Sequence, residues 1–171
     1  LGLLSGKQDG MPCTGFGYDV HRYGGTRPLV LGGVPMEGGY TVEAHSDGDV
    51  LLHALMDALL GLSGKGDIGE LFPDSDPAFD GISSAVLLSR VLDVIRESGI
   101  VLTNIDCTVV CQKPKLGPQR GAIRHNLCRL LSLDPDQVSV KATTEEKLGF
   151  TGDLSGIKAY AVATGLRTQR S

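Results

Sequence analysis

The sequence lacks tryptophan, and aromatic residues make up only 5% of its 171 residues. Hydrophobic residues still account for 41% of the chain, enough for one domain with an aliphatic, alanine-rich core. No apolar run approaches the length of a membrane span, and no signal peptide is visible. The net charge is −4 without a lysine- or arginine-rich run, which argues against nucleic acid and acidic membrane surfaces as partners.

The four cysteines, at positions 13, 107, 111 and 128, form no Cys-x-x-Cys pair. Cys107 and Cys111 lie four apart on a segment with strand character, so they share a face but are too distant to bridge locally. We therefore expect four free thiols in a reducing compartment. The bacterial cytoplasm fits this expectation, with a plastid as the alternative.

Residues 1–12 show no periodic pattern, and the chain begins with Leu1 rather than Met. Three explanations stay open: an expression scar, a linker from a longer polypeptide, or an extension before a natural start at Met11. We assign residues 1–12 to a disordered extension, tag or linker, and residues 13–171 to one folded domain.

Periodicity predicts a mixture of helices and strands. The predicted strands are Thr14 to Val20, Pro28 to Val34 with a turn or bulge at Gly32-Gly33, Val101 to Cys111, Val138 to Ala142 and Gly156 to Leu166. The predicted helices are Val50 to Leu62, with Ser46 and Asp49 as a capping box, Ser84 to Ser98 and Gln119 to Leu131. The loop from Gly64 to Gly81 is long enough to suggest a function.

This mixture indicates an α/β (α+β) domain, in which helices pack on one face of a mixed β-sheet. The residues of the last strand alternate, so Tyr160 and Val162 lie on the face that the helices leave uncovered. Their apolar character predicts a contact with another subunit.

Asp19 and His21 are two apart on a strand and therefore point to the same face. His53, on the first helix, would complete a set of two histidines and one carboxylate with an open fourth position, the pattern of a catalytic zinc site. Asp57, one turn further on, is placed to orient the imidazole of His53. The alternatives are an ordinary strand-end hydrogen bond for Asp19 and His21, and a solvated helix charge for Asp57.

Two further segments carry polar groups suited to phosphate. His45 and Ser46 precede the first helix, whose N-terminus favours an anion, although a helix cap alone would explain Ser46. The segment from Lys141 to Phe150 offers hydroxyls for phosphate and carboxylates for a hard cation. It equally fits a helix start capped by Thr144.

Four motifs occur in order: GYDVH at 17–21, AHSDGDVLLHALMDALLG at 44–61, GDIGELFPDSDP at 66–77 and KATTEEKLGF at 141–150. Together they resemble the 2-C-methyl-D-erythritol 2,4-cyclodiphosphate synthases of the non-mevalonate isoprenoid pathway, from about Thr14 to Leu166. The resemblance implies a lyase-type cyclisation of 4-diphosphocytidyl-2-C-methyl-D-erythritol 2-phosphate that releases CMP. It also implies a homotrimer with active sites between subunits.

The resemblance further implies roles for individual residues. It makes Asp19, His21 and His53 the ligands of one Zn²⁺ per subunit, and Glu146 the ligand of a Mg²⁺ or Mn²⁺ that bridges the diphosphate. It makes His45 and Thr144 the groups that stabilise the transition state. The implied substrate contacts are Asp67 and Gly69 (ribose side), Phe72, Pro73, Asp74, Ser75 and Asp76 (methylerythritol side), Cys111, Lys115, Leu116 and Gly117 (cytidine side), and also Ser46, Ile68, Ala142, Thr143 and Phe150.

Some positions differ from the usual family pattern. Glu145 stands where relatives often have Thr or Asn, and an extra carboxylate would repel phosphates unless it points away. Asp153 and Tyr160 replace an Arg and a Glu of the trimer axis, so we expect no isoprenoid diphosphate to bind there. Some relatives are fused to a cytidylyltransferase domain. The competing interpretations are a nucleotide-binding protein without catalysis and a structural zinc domain, which would need a closed four-ligand site.

Overall fold

The computed structural model describes residues 10–73 and 81–168. Its strands are β1 (Met11–Pro28), β2 (Val30–Leu31), β3 (Val34–Pro35), β4 (Thr41–Val42), β5 (Ile100–Val110), β6 (Val138–Thr143) and β7 (Gly156–Arg167). Its helices are α1 (Val50–Ser63), α2 (Ile68–Leu71), α3 (Ser84–Glu97), α4 (Arg120–Leu131) and α5 (Gly149–Gly152), and a 3₁₀ turn spans Pro135–Gln137.

Five strands form one sheet in the order β4-β1-β7-β5-β6, and the predicted mixed character of the sheet is confirmed. Strands β5 and β6 are parallel, whereas β1 pairs antiparallel with β4 and β7, and β5 with β7. Parallel strands end at the same edge, so β5 and β6 finish where β7 begins. His21 of β1 pairs with Ile157 at the start of β7 and therefore lies near that edge too.

Helix α1 lies against β1 and β7, and α3 and α4 contact β5 and β6. The approach of α1 is close because the strand residues beneath it are small: Ala159, Ala161 and Ala163 are fully buried. A Cβ atom on Gly17 would lie 1.8 Å from the carbonyl oxygen of Ala54, so only glycine fits there. The predicted alternation of the last strand is confirmed.

Several details differ from the sequence-based prediction. Strand β1 is longer than the predicted Thr14 to Val20, since it begins at Met11, inside the segment assigned to an extension, and ends at Pro28. Part of the predicted loop from Gly64 to Gly81 forms the short helix α2. The segment from Pro28 to Val34 is not one strand: β2 and β3 form a hairpin around Gly32 and Gly33, whose φ angles of 60° and 76° favour glycine. Helix α1 is capped by Asp49, not by Ser46, because the Asp49 side chain accepts a hydrogen bond from the backbone N–H of Leu52. Gly99 follows the C-cap of α3 with a φ of 68°, a conformation that favours glycine after a helix.

The sheet face opposite the helices carries exposed apolar side chains. Phe16, Tyr18 and Val20 of β1 are 62%, 42% and 43% exposed. The Tyr160 ring of β7 lies 6.1 Å from that of Phe16 and 5.2 Å from that of Tyr18, so these rings form one continuous patch. In the part of the chain that the structure describes, none of the helices combines the length and the apolar composition that a membrane span requires.

Candidate metal centre and active site

Two elements bring Asp19, His21 and His53 together. Asp19 and His21 extend from the helix-facing side of β1, and His53 lies in the first turn of α1. The Asp19 Oδ2 atom lies 3.2 Å from His21 Nε2 and 3.2 Å from His53 Nδ1. One ligand atom of each residue falls within 4.8 Å of the others, so the convergence predicted from sequence is confirmed.

The His21 Nε2 atom is buried and, among the described residues, has no hydrogen-bond partner of acceptable geometry despite its closeness to Asp19. Burial lowers the pKa of His21 and outweighs the opposing effect of Asp19, so the neutral imidazole keeps a lone pair. A buried nitrogen lone pair without a partner, beside a second imidazole and a carboxylate, fits a divalent metal ion. These three residues therefore form a candidate metal centre.

His53 is buried and held at both ring nitrogens. Its Nδ1 faces Asp19, while its Nε2 lies 3.0 Å from Ser84 Oγ and 3.3 Å from Ser46 Oγ. Burial acts to lower the pKa of His53, but the hydrogen bond that Asp19 accepts from it and the nearby carboxylates, Asp49 included, raise this pKa overall. Ser84 begins α3 and was not recognised as a site residue, because only the tertiary fold brings it to His53.

The buried carboxylate of Asp49 holds the loop before α1 in place. Asp49 Oδ1 accepts hydrogen bonds from the backbone of Gly32 and Leu52, and its Oδ2 accepts one from Gly33. Burial raises the pKa of Asp49 to about 6, although these three hydrogen bonds act in the opposite direction. The imidazole of His45 is exposed, while its backbone oxygen accepts from the N–H of Gly81 at 3.2 Å.

Asp57 holds α2 in place, since its Oδ1 accepts a hydrogen bond from the N–H of Ile68 at 2.9 Å. Burial raises the pKa of Asp57. Its role as the partner of His53 stays a prediction. Asp67 caps α2 through the N–H of Glu70, at 3.0 Å.

The neighbouring substrate residues predicted from sequence are only partly described. Phe72 is buried, and Gly69 and Pro73 are exposed. Asp74, Ser75 and Asp76 lie outside the described residues.

Thr144 and Glu146 contact each other after β6. The Thr144 hydroxyl donates to Glu146 Oε1 at 3.2 Å and lies 3.3 Å from the Glu146 backbone N–H, from which it accepts. Glu146 and Lys147 have φ angles of 53° and 65°, a strained conformation for residues with side chains, which is typical of functional turns. The alternative of a helix capped by Thr144 is wrong, since the N-cap of α5 is Leu148.

The extra carboxylate of Glu145 is directed at β7. Its Oε1 accepts from Lys158 Nζ at 2.6 Å and its Oε2 from the Thr151 hydroxyl at 2.5 Å. The hydrogen bonds from Lys158 and Thr151 lower the pKa of Glu145. The Lys158 ammonium also lies 5.4 Å from the ring centre of Phe150. Both Glu145 oxygens are thus engaged away from the Thr144–Glu146 contact.

The segment 111–117 leaves β5 at the same edge of the sheet. Cys111 and Leu116 are buried within it, while Lys115 and Gly117 are exposed. The Tyr23 hydroxyl donates to the Lys113 carbonyl at 2.7 Å, and Gln112 Oε1 accepts from the N–H of Lys147 at 3.2 Å. Tyr23, which the sequence did not single out, ties this segment to β1, and burial raises its pKa. All four cysteines are free, as predicted.

Ala142 and Thr143 end β6 with exposed side chains, next to Thr144. Lys141 instead pairs with Asp106 across the sheet at 2.8 Å. Ser46, Thr144, Glu146 and the segment 111–117 therefore all lie at or near one edge of the sheet, together with the metal centre. The fold and this edge define a small α+β domain with a three-residue candidate metal centre beside exposed polar turns.

The chain belongs to the YgbB family, whose model matches residues 13–165. It is 57% identical over 158 residues to a bifunctional enzyme IspD/IspF of Oleidesulfovibrio alaskensis, covering 92% of this chain and 40% of that relative. It is 51% identical over 148 residues to a 2-C-methyl-D-erythritol 2,4-cyclodiphosphate synthase of Clostridium botulinum, covering 86% of this chain and 96% of that relative.

A solved structure, the CDP complex of IspF from Plasmodium falciparum, superimposes with a TM-score of 0.81 at 33% identity. The match covers 95% of this chain and all of that one. The chain spans less than half the length of its bifunctional relatives, so their whole activity belongs to a longer protein.

Proposed function

We propose that this chain is a metal-dependent 2-C-methyl-D-erythritol 2,4-cyclodiphosphate synthase. It would convert 4-diphosphocytidyl-2-C-methyl-D-erythritol 2-phosphate into the cyclic diphosphate and CMP, a step of the non-mevalonate isoprenoid pathway. The convergence of Asp19, His21 and His53, with the unpartnered nitrogen of His21, carries the proposal. The family match and the synthase and CDP-bound relatives supply the reaction and the nucleotide.

The reaction needs no protein nucleophile, because the substrate carries its own. An oxygen of the 2-phosphate attacks the β-phosphorus, and the bond from that phosphorus to the CMP oxygen breaks, so the electron pair leaves with CMP. Zn²⁺ held by the metal centre, and Mg²⁺ or Mn²⁺ at Glu146, would neutralise charge on the phosphate oxygens. What remains for the protein is to fold a flexible substrate so that the two phosphates meet in line, which can contribute roughly 7–11 kcal/mol.

The residues of the chain divide this task. The Thr144 hydroxyl and the exposed imidazole of His45 are hydrogen-bond donors for oxygens that gain charge in the transition state. Lys158 engages Glu145, which keeps that carboxylate from repelling the phosphates. The tethered segment 111–117 would hold the cytidine, and Asp67 and Gly69 the ribose.

We further propose a homotrimer that covers the aromatic patch of Phe16, Tyr18 and Tyr160. An exposed apolar sheet face of this kind favours a subunit contact over solvent. A soluble trimer with active sites at its interfaces would bring the segment 111–117 of one subunit to the metal centre of the next. Light scattering of the purified chain measures the assembly, and a monomer at micromolar concentration would contradict it. Fusion to a cytidylyltransferase domain in the parent protein stays a prediction.

Phosphorus NMR tests the reaction directly. The purified chain is mixed with 4-diphosphocytidyl-2-C-methyl-D-erythritol 2-phosphate, Zn²⁺ and Mg²⁺, and we expect signals of CMP and a cyclic diphosphate. The matched control is His53→Ala, which removes one ligand of the metal centre. Intact substrate with folded wild-type protein and both metals would instead support a nucleotide-binding protein without catalysis.

A further inference from the structure

The Nε2 atom of His53, on the side of the ring away from Asp19, contacts further polar residues. A histidine that binds a metal through one ring nitrogen carries its proton on the other. If Nδ1, which faces Asp19, is the ligand atom, then Nε2–H donates to Ser84 Oγ at 3.0 Å. Ser46 Oγ, at 3.3 Å, is the more distant partner of the same nitrogen.

The next contact sets the direction of this hydrogen bond. The Ser84 hydroxyl lies 2.5 Å from Asp47 Oδ1, and a carboxylate can only accept, so the hydroxyl proton goes to Asp47. The lone pairs of Ser84 Oγ are then left for the N–H of His53. The hydrogen bonds therefore run from His53 to Ser84 and from Ser84 to Asp47.

Asp47 is itself held firmly. Its Oδ2 accepts from the backbone N–H of Ser84 at 2.7 Å, and its Oδ1 also accepts from the N–H of Asp49 at 3.1 Å. Ser84 has no exposed surface. The carboxylate, the hydroxyl and the imidazole thus form a row in which each group has a fixed partner.

We propose that Asp47 and Ser84 are positioning residues that set the tautomer and ring orientation of His53 for metal binding. This inference rests on the proposed function only for the presence of a metal ion at the centre. Groups that hydrogen-bond the outer nitrogen of a metal-bound histidine typically contribute about 10- to 100-fold to metal affinity. The rival explanation is that the Asp47–Ser84 contact merely anchors the start of α3.

The variant Ser84→Ala separates these explanations, because it removes the hydroxyl and keeps the backbone hydrogen bond from residue 84 to Asp47. The matched control is Ser83→Ala. The Ser83 hydroxyl caps α3 by accepting a hydrogen bond from the N–H of Ala85 at 3.3 Å. Its loss therefore perturbs the same helix end, one residue from the hydrogen bonds that join His53, Ser84 and Asp47.

Zinc affinity is measured on the metal-free full chain by competition with a chromophoric chelator. We expect Ser84→Ala to bind Zn²⁺ about 10- to 100-fold more weakly than wild type, and Ser83→Ala to stay within about twofold. Circular dichroism and thermal unfolding check that both variants fold. If Ser84→Ala does not fold, Asp47→Asn replaces it. Its amide has a single acceptor oxygen, whereas Asp47 uses one oxygen for the hydroxyl and the other for the backbone N–H of Ser84, so the same weakening is expected.

Nitrogen-15 NMR of the zinc-loaded protein supplies a second readout that simple anchoring of α3 would not change. We expect His53 in wild type to carry its proton on Nε2, with slow exchange that becomes fast in Ser84→Ala. Equal zinc affinity in wild type and Ser84→Ala, or equal losses in Ser84→Ala and Ser83→Ala, would overturn the inference. A wild-type chain that binds no Zn²⁺ would overturn the metal centre of the proposed function as well, which distinguishes the two failures.

Discussion

The separation of β1 and α1 decides whether the metal ligands meet, and Gly17→Ala perturbs it directly. The added Cβ would lie 1.8 Å from the carbonyl oxygen of Ala54 and 2.7 Å from the N–H nitrogen of Ala58. An ordinary van der Waals contact between the Cβ and the carbonyl oxygen would require a distance about 1.4 Å longer. Because both contacted atoms belong to the backbone of α1, β1 and α1 must move apart. We expect a loss of about 3 kcal/mol in the free energy of unfolding, the upper end for overpacking.

This movement would also affect the metal centre, because it draws His53 of α1 away from Asp19 of β1. Metal–ligand distances tolerate changes of only about 0.2 Å. We therefore expect the zinc affinity of Gly17→Ala to be at least about tenfold lower than that of wild type. Thermal unfolding should show a melting temperature lower by about 6–12 °C. Chelator competition measures the zinc affinity of the same sample.

The matched control is Gly121→Ala in α4, where an added Cβ meets nothing within 4 Å. The same chemical change should there stabilise the protein by roughly 0.4–1 kcal/mol and leave zinc affinity unchanged. A Gly17→Ala variant with wild-type melting temperature and zinc affinity would refute the argument that this glycine sets the spacing of β1 and α1.

Three further predictions concern the site. His53→Ala should abolish turnover in the phosphorus NMR assay while the circular dichroism spectrum stays that of a folded protein; normal turnover would contradict the metal centre. Burial raises the pKa of Asp49 from 3.8 to about 6, so its protonated form stabilises the fold and this contribution is lost as the pH rises through 6. Relative to the non-titrating Asp49→Asn, chelator-treated wild type should therefore lose about 2 kcal/mol of unfolding free energy between pH 4 and 7, as measured by urea titration. A difference between the two proteins that stays constant with pH would exclude the effect. Lys158→Met should raise the substrate KM, because it frees the carboxylate of Glu145. The double variant Lys158→Met/Glu145→Thr should return the KM to the wild-type value. A double variant with the same KM as Lys158→Met would show that Lys158 acts independently of Glu145.

Local patterns were enough to predict much of the fold and the metal ligands. Asp19 and His21 share a face because side chains alternate along any strand, and the helical spacing of leucines placed His53 on α1. The alternation of β7 likewise predicted its buried alanines and the uncovered side with Tyr160. The resemblance to a family then supplied what no local pattern contains, the expected substrate.

Contacts between residues distant in sequence were decided only by the tertiary structure. Ser84 reaches His53 because α3 starts beside α1, and Tyr23 holds Lys113 because β1 passes the end of β5. Glu145 reaches Lys158 because the end of β6 and the start of β7 both flank the end of β5. The sequence by itself determined which faces are apolar and which residue types can bind a metal. The partners of each polar group depended on strand order and helix packing, since these set the distances over which hydrogen bonds form.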